Sequence, residues 1–178
     1  DLNTQKEYAI IGLRNGVSVV DVTTPTAPEI VGTILGQSST WRDIKVYQYF
    51  DSSTLRWQAY AYSTTEADEG LTIIDLNDLQ NGISIVRRQT TDISAHNIYI
   101  SNLDYSFNIP LAGQEPAVHI LGSNLFGGSF RSYALTDPET LGSTYSNSAA
   151  TRNDYTHDAA SLVINDARAQ TDCVQANN

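Results

Sequence analysis

One short phrase returns at wide and similar intervals along the chain. Arg42-Asp43-Ile44-Lys45-Val46-Tyr47, His96-Asn97-Ile98-Tyr99-Ile100 and His157-Asp158, the last followed by Leu162-Val163-Ile164, each place a basic or imidazole side chain and then Asp or Asn at the head of a strand-like run. Arg42 and His96 are 54 residues apart, His96 and His157 61. Such steps fit a four-stranded antiparallel unit of about 40–50 residues lengthened by loops. The expected fold is therefore all-β and repetitive, with the units arranged as blades of a β-propeller. In that architecture the first strand of each blade lines a central channel, so Arg42, His96 and His157 are expected to converge near one axis.

Period-two alternation runs through the chain, and no stretch holds helical periodicity over three turns. Tyr8–Leu13 and Val17–Val22 flank an Asn15-Gly16 turn, and Ile30–Ile34 follows the Thr24-Pro25-Thr26-Ala27-Pro28 break, which gives a first unit (1–40) lacking its opening strand. A second unit (41–94) holds Asp43–Tyr47, Gln58–Tyr62, Leu71–Leu76 and Ile83–Arg87, with a turn at Asn81-Gly82. A third (95–153) holds His96–Ile100, Ala117–Leu121, Phe130–Leu135 and Leu141–Tyr145, and a fourth (154–178) opens at His157. Residues 1–178 thus read as one segment of two whole and two partial blades. A closed ring takes at least four, so the remaining blades are expected from the same protein or from another chain.

The chain carries 20 Asp and Glu against 10 Lys and Arg, a formal charge of −10, and its only lysines are Lys6 and Lys45. This balance opposes a nucleic-acid backbone or an anionic membrane as partner. It fits an exported surface, or acidity that serves solubility alone. Cys173 is the single cysteine, which leaves open a partner further along a longer chain or a free thiol in a reducing compartment. No run approaches the ~20 apolar residues of a membrane span. Asp1-Leu2-Asn3 is no leader, so an exported protein is expected to have lost its signal peptide.

Trp41-Arg42-Asp43-Ile44-Lys45-Val46-Tyr47, Glu66-Ala67 with Gly70 ahead of a strand ending in Asp75-Leu76, Ala95-His96-Asn97-Ile98, and Asp154-Tyr155-Thr156-His157-Asp158-Ala159 occur in an order that resembles the choice-of-anchor B proteins. These are bacterial surface or secreted propellers built from LVIVD repeats. The resemblance extends from about Gly16 onward. It implies a longer exported protein held at the cell surface, and it implies no particular chemistry. Two positions depart from the family pattern. Asp68-Glu69-Gly70 stands where a Gly-His-Gly phrase is common, and Ser161 stands where a cysteine that would partner Cys173 is common.

Three readings of the repeated phrase follow. His96 and His157, with Asp43, Asp158, Glu66 or Glu69 nearby, could bind a divalent ion such as zinc, since imidazole and carboxylate suit such an ion. Arg42 would repel a cation there but would accept a carboxylate or phosphate ligand, or pair with Asp43 or Glu66. In the third reading each side chain hydrogen-bonds the neighbouring unit and simply locks the fold. Glu66-Ala67-Asp68-Glu69-Gly70 offers oxygen ligands for calcium but lacks the alternating spacing of a calcium loop, so a solvated turn is expected. His119 lies mid-strand and is read as packed or surface. Trp41, Trp57 and the ten tyrosines suit inter-unit packing, or a platform for a glycan.

No Gly-x-Ser-x-Gly elbow or phosphate-cradling glycine loop is present, so no catalytic residue is assigned. The expected role is binding or scaffolding at the cell surface, with a surface protein or glycan as ligand. The alternative is a metal-dependent hydrolase or oxidase using the channel-mouth histidines and carboxylates.

Overall fold

The computed structural model describes residues 1–124, 127–142, 144–146, 155–164 and 166–169. Among them β1 (Tyr8–Leu13), β2 (Gly16–Asp21) and β3 (Glu29–Leu35) form a three-stranded antiparallel sheet in that order. A second sheet follows the same rule with four strands, β4 (Arg42–Asp51), β5 (Arg56–Thr65), β6 (Leu71–Asp75) and β7 (Ser84–Gln89). In the third, β8 (Asn97–Ser101) is followed by a small hairpin of β9 (Leu103–Asp104) and β10 (Ile109–Pro110), and then β11 (Ala117–Leu121), β12 (Arg131–Ala134) and β13 (Thr144–Ser146) complete the order β8-β11-β12-β13. The all-β expectation holds, and the three sheets span 8–35, 42–89 and 97–146.

Two differences from the expected strands have local causes. The β4–β5 ladder runs from Arg42↔Thr65 to Asp51↔Arg56, well beyond the expected 43–47 and 58–62. Asp51 lets it do so by closing the turn: its carboxylate accepts from the Ser53 amide (2.9 Å), the Ser53 hydroxyl (2.7 Å) and the Thr54 hydroxyl (2.7 Å). The second difference lies in 155–164, where Leu162-Val163-Ile164 was expected to form a strand and no ladder is found. A strand exists only by pairing, and this segment meets the third sheet mainly through side chains.

The sheets stack face to face with apolar side chains between them. Tyr60, Tyr62, Leu71 and Ile73 of the second sheet pack with Ile98, Ile100, Val118, Ile120 and Tyr133 of the third. The opposite parity of the second sheet, Ile44, Val46, Ala61 and Ile74, packs with Ile10, Val17, Val19, Val31 and Ile34 of the first. Period-two alternation therefore feeds two interfaces at once. Buried tyrosines need a partner for the hydroxyl; Tyr62 donates to Pro138 O and Tyr60 to Glu139 Oε1, both at 2.9 Å.

The end strands β4 and β8 lie beside each other, and β1 lies beside β4. The heads of β4 and β8, which carry the repeated phrase, are brought together on one side of the stack. No helix among the described residues is long and apolar enough to cross a membrane.

Candidate functional site

The second residue of each phrase ties one unit to the next. Asp43 Oδ2 accepts from the buried amide of Ile98 on the neighbouring sheet at 3.0 Å, while Lys45 neutralises the same carboxylate at 2.8 Å. One unit further on, Asn97 repeats the device. Its Nδ2 donates to His157 O at 2.9 Å and to Asp158 Oδ1 at 2.7 Å. Asp43 is thus occupied by protein partners, the Ile98 amide and Lys45.

The first residue of the phrase behaves differently at each repeat. Arg42 pairs with Glu69 at 3.0 Å, and both side chains are about 95% buried (4% and 5% exposed). Arg42 Nε also donates to Leu13 O at 3.0 Å, and another guanidinium nitrogen donates to Gln37 O. Glu69 accepts further from Arg88 at 3.3 Å and from the Gln37 amide at 2.9 Å. Gly36 lets the chain pass this close: a Cβ there would lie 2.3 Å from Glu69 Oε1. Two expectations are corrected here. Arg42 pairs with neither Asp43 nor Glu66, and the 66–70 loop is no uniformly solvated turn. A carboxylate that meets two guanidiniums and a backbone amide is held inside, whereas Asp68 and Glu66 of the same loop stay exposed.

His96 and His157 do meet. Their Nε2 atoms are 2.9 Å apart and their ring centroids 4.2 Å. Each Nδ1 faces a carboxylate, Glu66 Oε1 for His96 and Asp158 Oδ2 for His157, both at 2.8 Å. The hydrogen bond from His157 holds the Asp158 carboxyl below its ordinary value. Trp41 stacks on His96 with centroids 4.5 Å apart and planes 8° from parallel, and its indole N–H donates to His96 O at 2.7 Å. His96 is thereby fixed and nearly buried, while the His157 side chain is 62% exposed.

The segment carrying His157 is pinned at both ends. Tyr155 lies over Gly122, where an added Cβ would come 2.8 Å from its hydroxyl oxygen. The Thr156 amide donates to Gly128 O at 2.9 Å, and the Ser161 amide to Tyr99 OH at 3.1 Å.

Of the six residues expected to gather as ligands, the structure brings His96, His157, Glu66 and Asp158 into one chain of contacts and assigns Asp43 and Glu69 elsewhere. Among the described residues no three of these groups surround a common point. His119 is packed, as read: it is bonded by Ser132 Oγ at 2.7 Å and Ser101 Oγ at 2.9 Å, and burial pushes its pKa down. Trp57 meets Phe50 edge-on at 5.7 Å on the far side of the second sheet. Cys173 lies outside the described residues.

Asp92, which is 1% exposed, carries no signal in the sequence. It accepts from Ser123 Oγ at 2.8 Å and from Tyr133 OH, and pairs with Arg131 at 3.3 Å. Its sequence neighbourhood reads as a connecting loop, and only the tertiary fold reveals its partners.

No protein-family model, curated protein or solved structure matches the chain.

Proposed function

We propose that these sheets are consecutive blades of a β-propeller of the choice-of-anchor B kind, exported to the cell surface, whose work is binding or scaffolding rather than catalysis. The observation that carries this reading is the use of the repeated phrase. Asp43 and Asn97 occupy equivalent positions, and each spends its side chain on the following unit. Side chains committed to holding sheet against sheet build a rigid platform whose loops are left to contact a surface protein or a glycan. The low lysine content and the charge of −10 agree with an exported surface that avoids polyanions.

The test compares thermal unfolding with a panel of hydrolytic and oxidative turnover assays for Asp43→Ala and Asn97→Ala. A scaffold predicts a Tm lowered by several degrees in Asp43→Ala, because the buried Ile98 amide left without its partner costs about 1–3 kcal/mol, and a smaller drop in Asn97→Ala, whose partners on His157 and Asp158 are exposed, with no turnover in the parent to lose. Unchanged Tm together with a parental turnover that the variants abolish would overturn the reading in favour of an enzyme.

A further inference from the structure

The histidine pair leaves one requirement unmet. An ionised carboxylate can only accept a hydrogen bond, so with Glu66 and Asp158 on the Nδ1 side each ring carries its proton on Nδ1. Both Nε2 atoms are then unprotonated at 2.9 Å, and the rings are tilted rather than head-on, with centroids 4.2 Å apart and planes at 55°, so an electrophile that draws the two together sits to one side of the N···N line. A carboxylate on Nδ1 with a free Nε2 is also how protein histidines are oriented for a metal. With metal–nitrogen bonds of about 2.0–2.1 Å, nitrogens at this spacing subtend roughly 90°. That is the cis angle of octahedral or square-planar coordination, where a tetrahedral ion would need roughly 3.3 Å.

We propose that His96 and His157 form a two-imidazole site for a divalent transition ion of the copper or nickel class, with Glu66 and Asp158 as orienting groups and solvent or an exogenous ligand in the remaining positions. The ion adds a further staple between residues 155–161 and the head of β8, beside the Thr156 and Ser161 hydrogen bonds. Each metal–nitrogen bond replaces a metal–water bond, and no electron changes hands. Imidazole nitrogens as the only protein donors select against calcium and magnesium, which take oxygen. The site stands on ring geometry and does not depend on the sheets being propeller blades.

The experiment is calorimetric titration of the tag-free protein with Cu²⁺, Zn²⁺ and Ca²⁺ in a Cys173→Ser background, which removes the thiol as a competing donor, with electron paramagnetic resonance on the copper form. The expected result is one Cu²⁺ per chain, weaker uptake of Zn²⁺ and none of Ca²⁺, with a two-nitrogen hyperfine pattern. His157→Ala should weaken binding by at least about 100-fold, and Glu66→Gln and Asp158→Asn by about 10–100-fold, while His119→Ala leaves it unchanged. His157 is exposed and outside any strand, so its variant keeps the fold whatever His96→Ala does. No saturable uptake, or equal uptake by the parent and His157→Ala, would overturn the proposal.

Discussion

Replacing Glu69 by Gln removes the charge of a carboxylate that is 5% exposed and leaves Arg42, 4% exposed, without its counter-ion. Breaking a buried pair from one side costs about 3–5 kcal/mol, chiefly because the surviving charge is stranded. Two features place this case at the low end. Gln keeps an acceptor for the Gln37 amide, and Arg42 retains the carbonyls of Leu13 and Gln37. Arg88 is about one-third exposed, and water screens its share of the interaction. The expected loss is about 3 kcal/mol, which for 150–250 residues lowers Tm by roughly 6–12 °C.

Circular dichroism melts and urea titrations of Glu69→Gln, Arg42→Met and the double variant measure both the loss and its origin. Stranded charge predicts a double variant milder than the sum of the singles by about 1–2 kcal/mol. A single-variant loss below about 1 kcal/mol, or additivity within about 0.5 kcal/mol, would refute the assignment of this pair as an internal lock.

Two further outcomes follow from the same geometry. Burial lowers the His119 pKa from 6.5, so the unfolded chain takes up a proton first as pH falls through 6.5, and stability declines from there down to the lowered folded value. His119→Gln, which can still bond Ser101 and Ser132, should flatten that part of the slope in urea titrations at about pH 7.5 and about pH 5.5; an unchanged difference between the two pH values would contradict it. Gly122 has φ +61 and lies under Tyr155 and against His96, so Gly122→Ala strains the backbone and lifts 155–161 from β8. Limited proteolysis should then cut that segment faster than in the parent, and equal rates would count against its being held there.

What the sequence disclosed and what it hid divide along a physical line. Alternation and turn residues fixed the strands of the first two sheets, because both depend on neighbours close in the chain. Spacing pointed to a meeting of Arg42, His96 and His157; the two histidines meet, whereas Arg42 is drawn to Glu69, because equivalent positions in successive units find different partners. The partners of Arg42 and Glu69 were hidden, because several carboxylates near one guanidinium look alike in sequence and only packing selects among them. Asp92 was hidden more deeply, as its partners Ser123, Arg131 and Tyr133 come from other elements. The Asp43 and Asn97 links explain why the phrase recurs: one acceptor or amide at the head of the first strand is what a stack needs to join each unit to the next.

In a propeller the units succeed one another around a common axis, with the repeated phrase at the inner edge of each. A crystal structure of the intact protein tests it most directly. Asp43, Asn97 and Asp158 are expected at matching radii about that axis, each bonded to the following unit. Sheets that stack without a shared axis, or inner-edge positions occupied by unrelated strands, would contradict it.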